Sequence, residues 1–179
     1  DSAAGATAIS TGTKTYNGAI GVGPDKNPIK TILEEASEKG LATGLVSTSS
    51  ITHATPASFI AHQASRSQEE DIAADFLKTD IDVFIGGGYD FFTKREDGRN
   101  LVNELMRKGY TIERELSKIE NYKGKKLAGL TAPKGNPRMS ERGNMLPIST
   151  HTAINILQQN EKTNLAQFRC VDRMGIYRR

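Results

Sequence analysis

Apolar residues recur along this chain in two alternating patterns. One has the spacing of a helix face, the other comes in short continuous runs. Residues 3–11 are small side chains that read as a tightly packing helix, followed by a Gly-rich connection from Tyr16 to Asn27 with a turn at Asn17-Gly18 and breaks at Pro24 and Pro28. Ile29, Ile32, Leu33 and Ala36 fall at helical spacing, and Gly40 stops that helix after Lys39. Leu41 to Thr48 then reads as a buried strand. Pro56 opens the next expected helix, with Thr55 as its cap and Phe59, Ile60 and Ala64 as its apolar face. Ile72, Ala73, Phe76 and Leu77 mark a further helix, and Ile81 to Ile85 a strand running into Gly86-Gly87-Gly88. Leu101, Val102, Leu105 and Met106 give a helix stopped by Gly109. A short strand at 110–112, a short helix around Leu116 and Ile119, and a strand at 126–130 follow. Residues 131–148, rich in Pro, Gly and charge, read as a loop before a last helix from about Thr150 to Asn160. Helices alternating with short apolar strands predict an α/β fold, a mostly parallel sheet with helices on both faces.

Composition narrows this picture modestly. A length of 179 residues suffices for one domain with a real core. With 36% hydrophobic and 25% charged residues, the chain is not of the disordered class. No apolar run is long enough to span a membrane. The net charge of +3 is small and the basic residues are scattered, except for a basic tail at Arg169, Arg173, Arg178 and Arg179. That tail lacks aromatic residues arranged for base stacking, so solvated charge is the expectation and no nucleic-acid partner. A single cysteine, Cys170, excludes an internal disulfide and a Cys-based zinc site. His53, His62 and His151 are too dispersed for a His-x-x-x-His metal motif. The chain opens without Met and without a signal segment, inside a motif, and is expected to be an internal piece of a longer protein.

Candidate chemistry starts at Asp1-Ser2-Ala3-Ala4. At the start of a helix, either Asp1 or Ser2 serves as a plain N-cap. The same position offers unpaired N–H groups and the positive end of the helix dipole to an anion such as phosphate. A serine hydroxyl is a weak nucleophile and needs a base or a metal to activate it. The segment is not Gly-x-Ser-x-Gly, so a hydrolase elbow is not supported. A second cluster, Ser47 to Pro56 followed by Ala61 to Arg66, lies just beyond the first good strand, where open α/β sheets place their sites. On their own, Thr55 before Pro56 is an ordinary cap, His53 a satisfied core or surface histidine, and Arg66 a solvated side chain. Gly86-Gly87-Gly88 lacks dinucleotide spacing, and Gly12-Thr13-Lys14-Thr15 is not a P-loop because Lys14 does not directly follow a glycine.

Taken together, Asp1-Ser2-Ala3-Ala4-Gly5-Ala6-Thr7-Ala8 with Ser10 to Val22 closely resembles the nucleophile segment of alkaline phosphatases. The likeness continues through His53, Thr55-Pro56 and Ser65-Arg66, which match in order and spacing that family's acidic residue or His, its Thr-Pro and its Ser-Arg. It also covers a Gly-Gly-Gly after a strand and the helix around Thr152 to Leu157. This resemblance implies a three-layer α/β sandwich, incomplete here, and phosphomonoester hydrolysis through a phosphoserine. It makes Ser2 the nucleophile and a zinc ligand, and Arg66 the phosphate-binding arginine, oriented by Asp1. Thr55 becomes a magnesium ligand and His53 a group near that metal. Zinc and magnesium follow as cofactors and small phosphomonoesters as substrates, with a possible homodimer and a periplasmic or extracellular location.

The likeness runs through about Lys162, so 1–162 is expected to be a partial domain of this kind and 163–179 a divergent basic tail. That tail shows no continuous apolar strand and reads as an altered or out-of-frame end. Most zinc ligands of the family have no counterpart in the chain. A non-catalytic anion-binding or structural role is therefore the alternative. A sulfatase-like or phosphodiesterase relative fits less well, because a serine stands where a cysteine would and the match is long.

Overall fold

The computed structural model describes residues 1–159, 167–172 and 175–176. Its sheet forms where the apolar runs lie. Strands β1 (Thr43–Ser50), β2 (Val83–Gly87), β3 (Thr111–Glu113), β4 (Leu127–Leu130), β5 (Gln167–Asp172) and β6 (Gly175–Ile176) stand in the order β3-β4-β2-β1-β5-β6. Every pairing is parallel except the final β5–β6 pair. The residues of β2 and β4 are buried throughout, as expected for strands covered on both faces.

Successive strand residues face opposite layers, which divides the core in two. Leu45, Phe84, Ala128 and Leu130 point into one cluster, and Val46, Val83, Ile85 and Leu127 into the other. The first cluster is closed by helices α1 (Ser2–Thr11), α2 (Ile32–Glu38), α3 (Ala54–Ala57), α4 (Glu69–Asp75), α5 (Tyr89–Thr93) and α6 (Leu101–Arg107). The second is closed by α7 (Leu116–Glu120) and α9 (Met145–Gln159). Helix, sheet and helix make the expected three layers.

The helix starts explain themselves locally. Thr31 caps α2 through a reciprocal box: its hydroxyl accepts from Glu34 N (3.2 Å), and the Glu34 carboxylate accepts from Thr31 N (2.8 Å). The Thr31 hydroxyl also donates to Phe59 O at 2.6 Å, fixing α2 to the segment after α3. Thr31→Ala is expected to cost about 1 kcal/mol, read as a lower denaturant midpoint with an unchanged slope.

Several expectations need correction. Helix α1 begins at Ser2 with Asp1 as its cap, not at Ala3. Helix α3 begins at Ala54 with His53 in the capping position and no side-chain cap bond, so Thr55 is not the cap and Pro56 is not the first residue. A proline fits anywhere in a first turn, because the N–H groups there have no partner within the helix. Phe59 and Ile60 are buried beyond the end of α3, and Ala64 is exposed. Residues 131–148 are not only loop: α8 (Met139–Arg142) lies there, and α9 starts at Met145 with Pro147 in its first turn. The tail contributes β5, which pairs in parallel with β1 from Thr43 opposite Gln167 to Ser47 opposite Val171. Residues 160–166 and the basic side chains Arg169, Arg173, Arg178 and Arg179 lie outside the described residues.

Candidate active site

The C-terminal end of β1 and the start of α1 meet at one side chain, Arg66. Its Nη1 donates to Ser2 Oγ at 2.8 Å and lies 3.7 Å from Asp1 Oδ2. Its Nη2 contacts His53 Nε2 at 3.1 Å. A guanidinium only donates, so Nε2 of His53 is the acceptor and its ring proton sits on Nδ1. Ser2 is exposed and Arg66 half-buried, so an anion can reach the guanidinium from solvent. Thr55 lies in α3, half-buried, two residues beyond His53 and apart from these hydrogen bonds.

The Gly-rich connection aligns these segments. Asp1 Oδ1 accepts from Ala4 N (2.9 Å) and from Gly18 N (3.3 Å), while Gly18 O accepts from Arg66 N (2.8 Å). Asp1 is therefore both the helix cap and the carboxylate beside the arginine. Ile20 and Gln63 form an antiparallel bridge, and the Tyr16 hydroxyl donates to Ala64 O at 2.9 Å. Helix α1 is seated by Thr7 and Ser10: the Thr7 hydroxyl donates to Ala19 O (3.0 Å), and the Ser10 hydroxyl to Ser58 O (2.5 Å). The triple glycine touches these segments through Gly87 O, which accepts from Ile51 N (2.9 Å), and not as a phosphate cradle. The N–H groups of Gly88 and Tyr89 donate to Ala132 O, and that of Asp90 to Pro133 O, so these donors are already engaged by the 132–133 backbone.

One titrating pair supports this frame. His62 Nδ1 lies 2.7 Å from Gly21 O and Nε2 2.8 Å from Glu34 Oε1. Both neighbours are acceptors, so the ring is held as imidazolium. Burial opposes that charge, but the hydrogen bonds to Glu34 and Gly21 and the charges of Glu34 and Asp75 outweigh it, and the pKa of His62 is raised. Burial likewise opposes the Glu34 carboxylate, but its hydrogen bonds to His62 and Thr31 lower its pKa. A raised histidine stabilises the fold fully below its unfolded pKa of about 6.5 and less as pH rises through the folded value. A lowered glutamate stabilises fully above about pH 4.3 and less as pH falls through its folded value. Thermal stability is thus expected to fall as pH is raised from about 6.5, and His62→Gln to flatten that fall. An equal fall in both proteins would contradict the assignment.

The three residues proposed as metal ligands do not by themselves fit a zinc or magnesium centre. Ser2 Oγ and His53 Nε2 are both engaged by Arg66, and no group of three or more His, Cys, Asp or Glu converges among the described residues. A catalytic zinc needs about three protein ligands.

A serine at the start of α1, hydrogen-bonded by an arginine from beyond β1, lies at the centre of this site. The sequence profile described as Alkaline phosphatase matches residues 1–165. The chain belongs to the alkaline phosphatase family. Alkaline phosphatase 3 of Bacillus subtilis is 44% identical over 170 residues, covering 90% of this chain and 36% of the relative. The alkaline phosphatase of Escherichia coli is 32% identical over 215 residues, covering 90% and 46%. The solved alkaline phosphatase of the Antarctic bacterium TAB5 superposes with a TM-score of 0.87 at 42% identity, covering 96% of this chain and 50% of that one. A mutant of that enzyme has been solved with Mg bound in its M3 site. The chain thus spans between about a third and a half of these alkaline phosphatases, and its three-layer fold is an incomplete part of theirs.

Reading the sequence brought together Asp1, Ser2, His53 and Arg66. It assigned no role to Glu69, whose carboxylate Oε2 accepts from Ser50 Oγ (3.1 Å) and Thr52 Oγ1 (2.6 Å). Nor did it anticipate Gly18 as the link between Asp1 and Arg66, although Asn17-Gly18 is a clear turn signal.

Proposed function

We propose that the whole protein of which this chain is a part hydrolyses phosphomonoesters through a phosphoserine at Ser2. The 2.8 Å contact between Arg66 Nη1 and Ser2 Oγ carries this reading, because it puts a two-pronged cation beside the attacking oxygen. In the first step Ser2 Oγ bonds to phosphorus, the ester P–O bond breaks, and the proton lost by the serine hydroxyl balances the one gained by the departing alcohol. In the second, a water oxygen bonds to phosphorus, the P–Oγ bond breaks and a water proton returns to Ser2 Oγ, yielding inorganic phosphate. Arg66 holds two phosphoryl oxygens in both steps, and Asp1 keeps the guanidinium turned toward Ser2. Family membership and the Mg bound to a TAB5 relative support magnesium, with Thr55 as a ligand and His53 near it, and the resemblance adds zinc at Ser2, although these three side chains do not complete a centre by themselves. Bound metal would stabilise a serine alkoxide. The remaining ligands would have to come from other parts of the whole protein.

The test is hydrolysis of a chromogenic phosphate monoester with zinc and magnesium supplied, beside Ser2→Ala. Turnover lost in the variant is expected of the whole protein. Equal turnover in both would overturn the reading. The lack of a three-ligand group among the described residues favours a second reading for the isolated chain, phosphate binding without turnover. A homodimer and an exported location are proposed from the resemblance alone, and a monomer on sedimentation or retention in the cytoplasm would contradict them.

A further inference from the structure

Glu69 joins the two segments that carry the site without touching a reacting atom. It is the first residue of α4, three positions beyond Arg66. Its Oε2 accepts from Thr52 Oγ1 at 2.6 Å and from Ser50 Oγ at 3.1 Å. Thr52 is fully buried and Ser50 nearly so, so the carboxylate is the acceptor that keeps these hydroxyls paired away from water. The turn they belong to is tight. Ser50 O accepts from His53 N at 3.1 Å, and Ile51 N donates to Gly87 O at 2.9 Å. Where Thr52 is held, His53 follows, and α3 with Thr55 begins at the next residue.

The backbone of Arg66 is pinned from the other side, by Gly18 O. Its guanidinium must bridge from there to Ser2 and to His53 Nε2. The gap it spans depends on what ties the 50–53 turn to the 66–69 segment, and Glu69 ties them at Ser50 and Thr52. An acidic residue at a helix start also complements the helix dipole, but Glu70 and Asp71 stand in the same first turn and supply that effect without it. Accepting from two hydroxyls at one oxygen is particular to Glu69 among the three.

We infer that Glu69 is a positioning residue. By holding Ser50 and Thr52 it fixes His53 relative to Arg66, and so sets the geometry in which the guanidinium receives a phosphoryl group. The inference rests on the reading of Arg66 as the phosphoryl-binding side chain. An acceptor oxygen, rather than the charge, is the essential feature. Glu69→Gln keeps that oxygen and Glu69→Ala removes it.

The experiment compares the parent chain with Glu69→Gln, Glu69→Ala, Thr52→Val and Arg66→Ala. Inorganic phosphate binding is measured by calorimetry, the Arg66 guanidinium signal by side-chain nitrogen NMR, and the unfolding midpoint by heat. Glu69→Ala is expected to weaken phosphate binding about tenfold or more. It should also move the Arg66 signal toward that of a freely rotating guanidinium. Glu69→Gln should restore both, and adding Thr52→Val to Glu69→Ala should add little. A lower midpoint in Glu69→Ala with phosphate affinity and the Arg66 signal unchanged would overturn the inference and leave Glu69 a stability residue. If the parent binds phosphate no better than Arg66→Ala, the phosphoryl reading fails. The Arg66 signal then decides Glu69 by itself: moved in Glu69→Ala, it supports the positioning role; unmoved, it overturns it.

Discussion

Arg66→Ala is expected to lower kcat/KM for phosphomonoester hydrolysis by the whole protein about 10²–10³-fold, the usual effect of removing a preorganised donor from developing negative charge. The guanidinium is well prepared for that role. One nitrogen lies against Ser2 Oγ and the other against His53 Nε2, with Asp1 beside the first. An entering phosphoryl group would replace weaker neutral acceptors with two charged oxygens, at the spacing a planar fork matches. Arg66→Lys is expected to recover little, because an ammonium is a point charge that cannot bridge two oxygens. The loss should appear in both KM and kcat, since Arg66 grips the phosphoryl group in the substrate and grips it more tightly as negative charge develops in the transition state. Steady-state kinetics of the three proteins check this, and a Lys variant with parental kcat/KM would contradict the two-pronged geometry.

Gly21→Ala is expected to be the most damaging substitution in the Gly-rich connection. Gly21 has φ +58, and a Cβ built there would lie 2.1 Å from Ala61 O and 2.9 Å from His62 Nδ1. Its N–H donates to Thr7 Oγ1 (3.0 Å), and its carbonyl accepts from Ile29 N and His62. A shift that relieves the clash works against these bonds. Left-handed backbone alone costs about 1–2 kcal/mol for a residue with a Cβ, and the backbone clash raises the expected loss to roughly 3–5 kcal/mol. For a chain of this size that lowers the unfolding temperature by roughly 10 °C. Gly12→Ala is the control. Gly12 has φ +75 but open space around it, so only the conformational cost of about 1 kcal/mol applies. Equal losses at the two positions would show that the contact with Ala61 does not matter.

How far the sequence foretold the structure depended on how many residues carried each signal. The buried strands β1, β2 and β4 were legible within about two residues, because parallel strands covered on both faces read as apolar runs. Helices α2, α4 and α6 were legible from apolar spacing, and α2 and α6 also from the glycines that stop them. Helix α5 was not: it has five residues, and of these only Phe92 is buried. Helix α8 has no buried residue, so no periodic apolar pattern betrays it. The first turn of α9 was hidden by Pro147, which reads as a breaker although a first turn tolerates it. The tail gave no apolar run, yet β5 pairs beside β1.

The site shows the same division. Ser2 and Arg66 stand 64 residues apart, and nothing in periodicity or composition joins them. The family motifs did. Glu69 lay in an acidic run, where its hydrogen bonds across the β1 turn leave no trace in spacing. Thr55 was read as a cap because it precedes a proline, whereas the structure starts the helix two residues earlier, at Ala54.

Covalent trapping tests the central claim most directly. The whole protein is incubated with a phosphomonoester at low pH, quenched in acid, digested and mapped by mass spectrometry. One phosphoryl group on Ser2, absent in Ser2→Ala and diminished in Arg66→Ala, is the predicted result. Turnover of the ester with a phosphoryl group on another residue, or undiminished turnover in Ser2→Ala, would contradict it.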